Sequence, residues 1–241
     1  VSKNATSKHV VIIGGGVSGQ DVAKKALKLS NTRVTIVQCN EFTEFPVFAP
    51  YHISRPDFFV ERANTPLGAI KSLEHLAIDD VEYVVGTVSG LSEDKKQIVF
   101  KDGRSLSFDA LVVASGIHYP ILAAEPGETY EQRVEFVKGF SSTVVAAKSI
   151  LLGGRGPVGI EVVMELRRLN PNAKIQMVTS AKQVLGWDGA AAKHLQDRLD
   201  FCKIEVIKEA RVQDVNPAKA VLTRANYQLS NGTLINDVDV F

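Results

Sequence analysis

The sequence is poor in the residues that most often mark a site. Its only cysteines, Cys39 and Cys202, lie far apart in a chain of 241 residues. No CxxC or CxxxxC occurs, so no redox-active dithiol and no thiolate metal cluster is encoded. The five histidines (His9, His52, His75, His118 and His194) show no HExxH or similar ligand spacing, and no metal site is expected. An excess of one charge is also missing. The 28 basic and 27 acidic residues leave a net charge of +1, which argues against nucleic acid as a partner. No apolar run approaches the roughly 18 residues of a membrane-spanning helix. The opening VSKNATSK lacks the apolar core of a secretory signal, although a first residue of Val1 leaves a trimmed leader open.

What is present is a packed α/β pattern written twice. Hydrophobic residues make up 45% of the chain and charged residues 23%, enough for one large domain or two ordinary ones. HVVII at 9–13 reads as a buried strand, QDVAKKALKLS as a helix with Val22, Ala26 and Leu29 on its apolar face, and TRVTIVQ at 32–38 as a second buried strand. A proline- and aromatic-rich loop follows over 40–70. The run VEYVVGTVSGL and a hairpin about Asp102-Gly103 lead to a buried strand at 109–116. Residues 117–140, with Pro120, Pro126, Gly127 and Gly139, read as a crossing segment. SILL at 149–152 then restarts the pattern. It is followed by the helix PVGIEVVMELRRL ended by Asn170-Pro171, the strand KIQMVTS, a helix with Asp188 as N-cap and Ala192, Leu195 and Leu199 on one face, the strand KIEVI, and a hairpin about Asn231-Gly232. Strand, glycine turn, helix, strand, hairpin and closing strand recur in order, an internal duplication.

The glycines carry the chemistry. Gly14, Gly16 and Gly19 fit GxGxxG, and so do Gly154, Gly156 and Gly159, 140 residues further on. The first glycine of such a turn permits a tight exit from the strand, the second lets backbone approach a pyrophosphate, and the third lets the helix pack closely on the strand. The helix N-terminus then offers unpaired N–H groups to the phosphates. The ribose-binding acid usually stands roughly 20 residues past the last glycine. Here Gln38 and Thr179 occupy those places, and neither is acidic. Gln38 keeps hydrogen-bonding capacity without charge. Thr179, Ser180 and Lys182 form a polar, positively tipped cluster that suits a 2′-phosphate, or else Lys182 is a solvated loop lysine. Arg155 adds charge beside the second turn, or points to solvent.

HVVIIGGGVSG, FDALVVASG and LLGGRGPVGIE, in this order and spacing, resemble the two-dinucleotide-binding flavoproteins of the pyridine nucleotide–disulfide oxidoreductase superfamily. Within it they are similar to the apoptosis-inducing-factor-like, ferroptosis-suppressor type. The resemblance implies two Rossmann-like, three-layer domains: an FAD-binding domain over 1–118 and an NAD(P)-binding domain over 119–241. It implies that Gly14, Gly16 and Gly19 hold FAD, with Gln38 at its ribose, Val88 at its adenine, and Ala114, Ser115 and Gly116 at the turn between lobes. Gly154, Gly156 and Gly159 would hold NAD(P)H, with Ser180 and Lys182 at its ribose. Glu161 matches an acid near the nicotinamide, or is an acid favoured by the helix dipole. The function implied is hydride transfer from NAD(P)H to FAD and on to a quinone-like or other small acceptor, without a redox disulfide; the sequence leaves the location open, whether cytoplasmic or mitochondrion-associated. Peripheral membrane association and a homodimer stay open. A non-catalytic nucleotide-binding regulatory protein and a single-cofactor Rossmann enzyme are the alternatives. Aligning Asp239 with Asp109 stops the chain in mid-strand, so the FAD domain is expected to be incomplete and the chain a fragment.

Overall fold

Both glycine turns sit where a buried parallel strand gives way to a helix. The structure, a computed structural model, describes residues 7–61, 70–72, 78–119, 121–186, 189–216 and 221–241. The first half of the chain runs β1 (Lys8–Ile13), α1 (Val17–Ala26), β2 (Thr32–Gln38), β3 (Phe42–Glu44), α2 (Ala49–Ile53), α3 (Pro56–Glu61), β4 (Ile70–Ser72), β5 (Val81–Val85), β6 (Val88–Leu91), β7 (Gln97–Phe100), β8 (Ser105–Ser107) and β9 (Ala110–Val113). The second half runs α4 (Tyr130–Ala146), β10 (Ser149–Gly153), α5 (Pro157–Leu169), β11 (Lys174–Val178), α6 (Ala190–Phe201), β12 (Ile204–Ile207), β13 (Ala225–Gln228) and β14 (Leu234–Val238). These elements form two compact units interleaved in sequence. One holds the residues through Pro46, Phe59–His118 and Ala123–Val134; the other holds Val47–Phe58, Tyr119–Leu122 and Glu135–Phe241.

The first unit is built on a parallel sheet in the order β5-β2-β1-β9. Its central strands are mostly apolar because both faces are covered, β1 from Val10 to Ile13 without a break and β2 from Val34 to Val37 with Thr35 buried among them. Ile12, Val34 and Ile36 pack on Ala23 and Ala26 of α1. Val11 and Val37 face the other way, onto Ile98 and Phe100 of the antiparallel sheet β6-β7-β8. The second unit repeats the plan with β10-β11-β12 and a parallel bridge from Ile150 to Val240 on the free side of β10. Ile150, Ile175 and Met177 pack on Val163 and Leu166 of α5, while Leu151 and Val178 meet Tyr227, Ile235 and Val238 of the β13–β14 hairpin.

The duplication extends to individual hydrogen bonds. The Asp109 carboxylate accepts the His9 N–H at 2.7 Å, and the Asp109 N–H donates to the His9 carbonyl at 2.8 Å. In the second unit the Asp239 carboxylate accepts the N–H groups of Lys148 (2.7 Å) and Ser149 (3.1 Å), and its own N–H donates to Ser149 at 2.9 Å. Each aspartate pins the start of one parallel pairing.

Several local expectations are corrected. The α1 helix ends at Ala26, so Leu29 lies past it and is 63% exposed instead of lining the apolar face. Asn31, at φ +55°, turns the chain back into β2 in a conformation that asparagine tolerates. VEYVVGTVSGL is two strands in two sheets. The Gly86 N–H is held by the Gln38 carbonyl at 2.9 Å, and a Cβ there would meet the Phe100 ring at 2.7 Å. The three-residue pair β3–β4 inside the proline-rich loop was not anticipated. Residues 117–140 are not simply a crossing segment, because the 17-residue helix α4 begins at Tyr130. Its start is a capping box: the Gln132 N–H donates to the Thr129 hydroxyl at 3.2 Å, and the Thr129 N–H donates to the Gln132 side chain at 2.9 Å. Its last carbonyls are satisfied by the buried Asn170 amide, which donates to Val144, Val145 and Ala147 at 2.7–3.1 Å. The expected N-cap Asp188 lies outside the described residues; Gly189 stands next to α6.

Candidate functional site

In the first unit, strands β1, β2 and β9 end together. The Gly14 N–H donates to Val37 and the Ala114 N–H to Ile13, both at 2.8 Å. Gly14 adopts φ +105°, and a Cβ on it would collide with the Ala114 carbonyl. No other residue suits both demands. Ser115 and Gly116 (φ +71°) continue the turn beside it. In this strand order the crevice for a ligand opens at the carboxyl ends of β1 and β9, where the connections diverge. Gly19 packs so closely that a Cβ would overlap the Gly14 carbonyl oxygen. Gly16 is the N-cap of α1, and a Cβ there would meet nothing within 4 Å.

Two glutamines hold the middle of this turn. The Gly15 N–H donates to Gln38 Oε1 at 2.8 Å, and Gln20 Nε2 donates to the Gly15 carbonyl at 2.9 Å. Gln38 Nε2 reaches the Phe42 carbonyl at 3.3 Å. The Gln38 amide, expected at a ribose, is thus turned onto its own chain at both ends. Sequence reasoning passed over Gln20; its place one helical turn past Gly16 was the available signal. Val88 begins β6, half-buried, opposite Phe100.

The residues present fit a dinucleotide at this turn. No side chain caps α1, no acid stands in its first turn, and the Gly16 position is open. Unpaired N–H groups therefore face a space that a side chain would fill and an anion would satisfy.

The second turn opens into a cavity of about 600 Å³. Gly154 takes φ +137°, and Gly156 is the N-cap of α5, again with no side-chain cap and no acid in the first turn. A Cβ on either would meet nothing within 4 Å. This turn fits a second dinucleotide on the same grounds. Gly159 differs from its counterpart, since a Cβ there would touch Leu152 at an ordinary 3.4 Å. Gly154, Gly156, Gly159 and Ser180 all line the cavity, with Thr179 beside them. Lys182 is exposed and does not line it; neither does Glu161, which lies beyond the first turn of α5 and is exposed. The cavity wall instead brings in Arg155 and Arg211. Sequence reasoning missed Arg211, which parallel strand order carries to the second turn from 55 residues past Gly156.

Among the described residues, no group of three or more His, Cys, Asp or Glu side chains is placed to hold a metal, and no helix is long and apolar enough to cross a membrane. Cys39 and Cys202 are both half-buried free thiols, and burial pushes the Cys39 thiol up from its ordinary pKa.

Comparison with known proteins gives a consistent result. The sequence model of the family described as pyridine nucleotide-disulphide oxidoreductase matches residues 8–240. Apoptosis-inducing factor homolog B of Dictyostelium discoideum is 27% identical over 241 residues, covering 93% of this chain and 58% of that protein. Putidaredoxin reductase CamA of Pseudomonas putida is 24% identical over 185 residues, covering 73% of this chain and 43% of its own. The NAD-dependent persulfide reductase from A. fulgidus shares the fold with a TM-score of 0.72 at 19% identity, over 96% of this chain and 44% of the other. The chain thus spans about half the length of the proteins it matches.

Proposed function

The chain belongs to the pyridine nucleotide-disulphide oxidoreductase family, and from that premise we propose that it is the nucleotide-binding part of an FAD-dependent NAD(P)H oxidoreductase. FAD is assigned to the Gly14–Gly19 turn of the first unit and NAD(P)H to the Gly154–Gly159 turn of the second. The observation that carries this reading is the pair of uncapped helix N-termini, each behind a glycine whose Cβ position is open. When bound, the cofactors supply hydride exchange between nicotinamide and flavin. The protein's own residues bind and orient. Helix amides receive the pyrophosphates, and Gln38 and Gln20 hold the Gly15 peptide so that those amides keep their direction. Val88, Ala114, Ser115 and Gly116 edge the FAD turn. Ser180 edges the other. Glu161 stands apart from the cavity and has no role in this reading. The electron acceptor is read as a small molecule, quinone-like or other, because the sequence has no CxxxxC to carry electrons onward.

The test is flavin retention. Protein reconstituted with FAD and gel-filtered should keep about one flavin, absorbing near ~450 nm, and lose that colour when NADH or NADPH is added without oxygen. Gly16→Val should fold and lose the flavin. A variant that still retains stoichiometric FAD would show the first site to be misassigned.

A further inference from the structure

We propose that the cavity at the second glycine turn is built for a 2′-phosphorylated nicotinamide dinucleotide, and that Arg155 and Arg211 hold the extra phosphate between them. The inference rests on the assignment of the nicotinamide cofactor to this cavity. It moves the selecting charge from Lys182, which does not line the cavity, to two arginines that do.

The first argument is charge. Among the described residues, Arg155 and Arg211 are the formally charged side chains that line the cavity, and no aspartate or glutamate side chain lines it with them. A dinucleotide without the 2′-phosphate is usually recognised by a carboxylate on the ribose hydroxyls. At the end of β11 that place is taken by Thr179, 3% exposed, whose hydroxyl accepts the Ala181 N–H at 3.2 Å. Thr179 itself carries no charge to repel a phosphate; Glu209, on the paired segment, is exposed and does not line the cavity.

The second argument is position. Residues 209–211 run beside 179–181: the Ala210 N–H donates to Thr179 at 3.0 Å and the Glu209 N–H to Ala181 at 3.2 Å. Arg211 therefore leaves the backbone next to the strand end where a ribose would lie. Arg155 lines the same cavity from the glycine turn. Its carbonyl accepts the Leu185 N–H at 3.0 Å, and its guanidinium lies on Gly186, where any Cβ would collide with it. Leu185 and Gly186 both take positive φ, +61° and +69°. The loop after β11 thus adopts a conformation costly for leucine and leaves room for one arginine side chain.

The third argument is partnership. Neither guanidinium has an ion pair or side-chain hydrogen bond among the described residues. Both line the same cavity, where an incoming anion would find two guanidiniums with no carboxylate already on them. A phosphate monoester, with a charge of about −1.5 to −2 and three acceptor oxygens, suits two guanidinium forks.

The experiment is calorimetric titration of the protein with NADP+ and with NAD+, oxidised so that no hydride moves. NADP+ should bind at least about tenfold more tightly, a difference of about 1.4 kcal/mol. Arg155→Ala and Arg211→Ala should each remove most of that ratio while leaving NAD+ affinity within about threefold. The same variants as lysine should keep part of it and guard against a folding defect. Lys182→Ala should leave the ratio as it is. Equal affinity of the unchanged protein for both dinucleotides overturns the proposal while leaving the cofactor assignment standing. So does an equal loss of both in the arginine variants, which would place the guanidiniums on the pyrophosphate. Failure of both dinucleotides to bind removes the assignment and the proposal together.

Discussion

Gly19 and Gly159 hold the same place in two copies of one motif and meet different neighbours. A methyl group on Gly19 would drive into the Gly14 carbonyl oxygen, whereas one on Gly159 would rest at 3.4 Å from Leu152. Gly19→Ala should therefore destabilise the protein by about 2–3 kcal/mol or more, as overpacking against backbone does. Gly159→Ala should be near neutral, because alanine's helix propensity, worth about 1 kcal/mol over glycine, offsets the tightened contact. Urea unfolding of the two variants checks this, and equal losses would show that the third glycine is required in both turns. At this scale the sequence was legible where a residue's reason is local. Gly14 declares its turn, and the structure supplies the positive φ. The sequence was silent on Arg211, which the pairing of β11 and β12 brings to the cavity wall, and it pointed to Lys182, which does not line the cavity.

Among elements, the closing strand of the second unit opens on an aspartate that responds to pH. Two backbone N–H groups, from Lys148 and Ser149, hold the Asp239 carboxyl below the usual carboxylate range. A depressed carboxylate stabilises the fold fully above its unfolded pKa, near ~3.9, and the contribution disappears as pH falls through the lower folded value. The stability gap between the unchanged protein and Asp239→Asn should thus be widest near neutrality and close in acid, read as urea midpoints across pH 6 to 2.5. A gap that stays constant would assign Asp239 no such role. Desolvation, with help from Arg33, lowers the His9 pKa; its stabilising effect fades as pH falls below about 6.5, but it is common to both proteins and cancels in the comparison. The long parallel strands were readable because burial on both faces writes continuous apolar runs. Helix α4 was not, since Gly127 and Pro126 just ahead of it outweighed the Thr129-x-x-Gln132 box in a reading by composition. The pair β3–β4 is too short for any periodicity to register.

For the whole molecule, a ligand that binds only the folded state raises stability by mass action. NADP+ at about 100 times its Kd should add about 2.7 kcal/mol, or roughly 5–10 °C in Tm for a protein of this size. FAD should produce a shift of its own, which Gly16→Val removes while the NADP+ shift persists. Loss of both shifts in that variant would contradict the assignment of the two cofactors to separate turns. The two-fold plan was legible in the repeat of glycine clusters and hairpins. The interleaving of the two units was not, because the return of Val47–Phe58 to the second unit and of Ala123–Val134 to the first depends on contacts that no local pattern records.

The reach of the aspartate clamps also sets a clock. The Asp109 carboxylate meets His9 across 100 residues, and Asp239 meets Ser149 across 90. Closing a loop of that length costs about 4 kcal/mol of chain entropy by the logarithmic rule, and such distant pairings slow folding. On a ribosome adding roughly 5–20 residues per second, the strand that leads into each glycine turn waits several seconds with one edge bare before its second neighbour is made. An edge left bare for that long is a template for pairing with another chain, so each parallel sheet is most open to edge-to-edge association just before its closing strand returns.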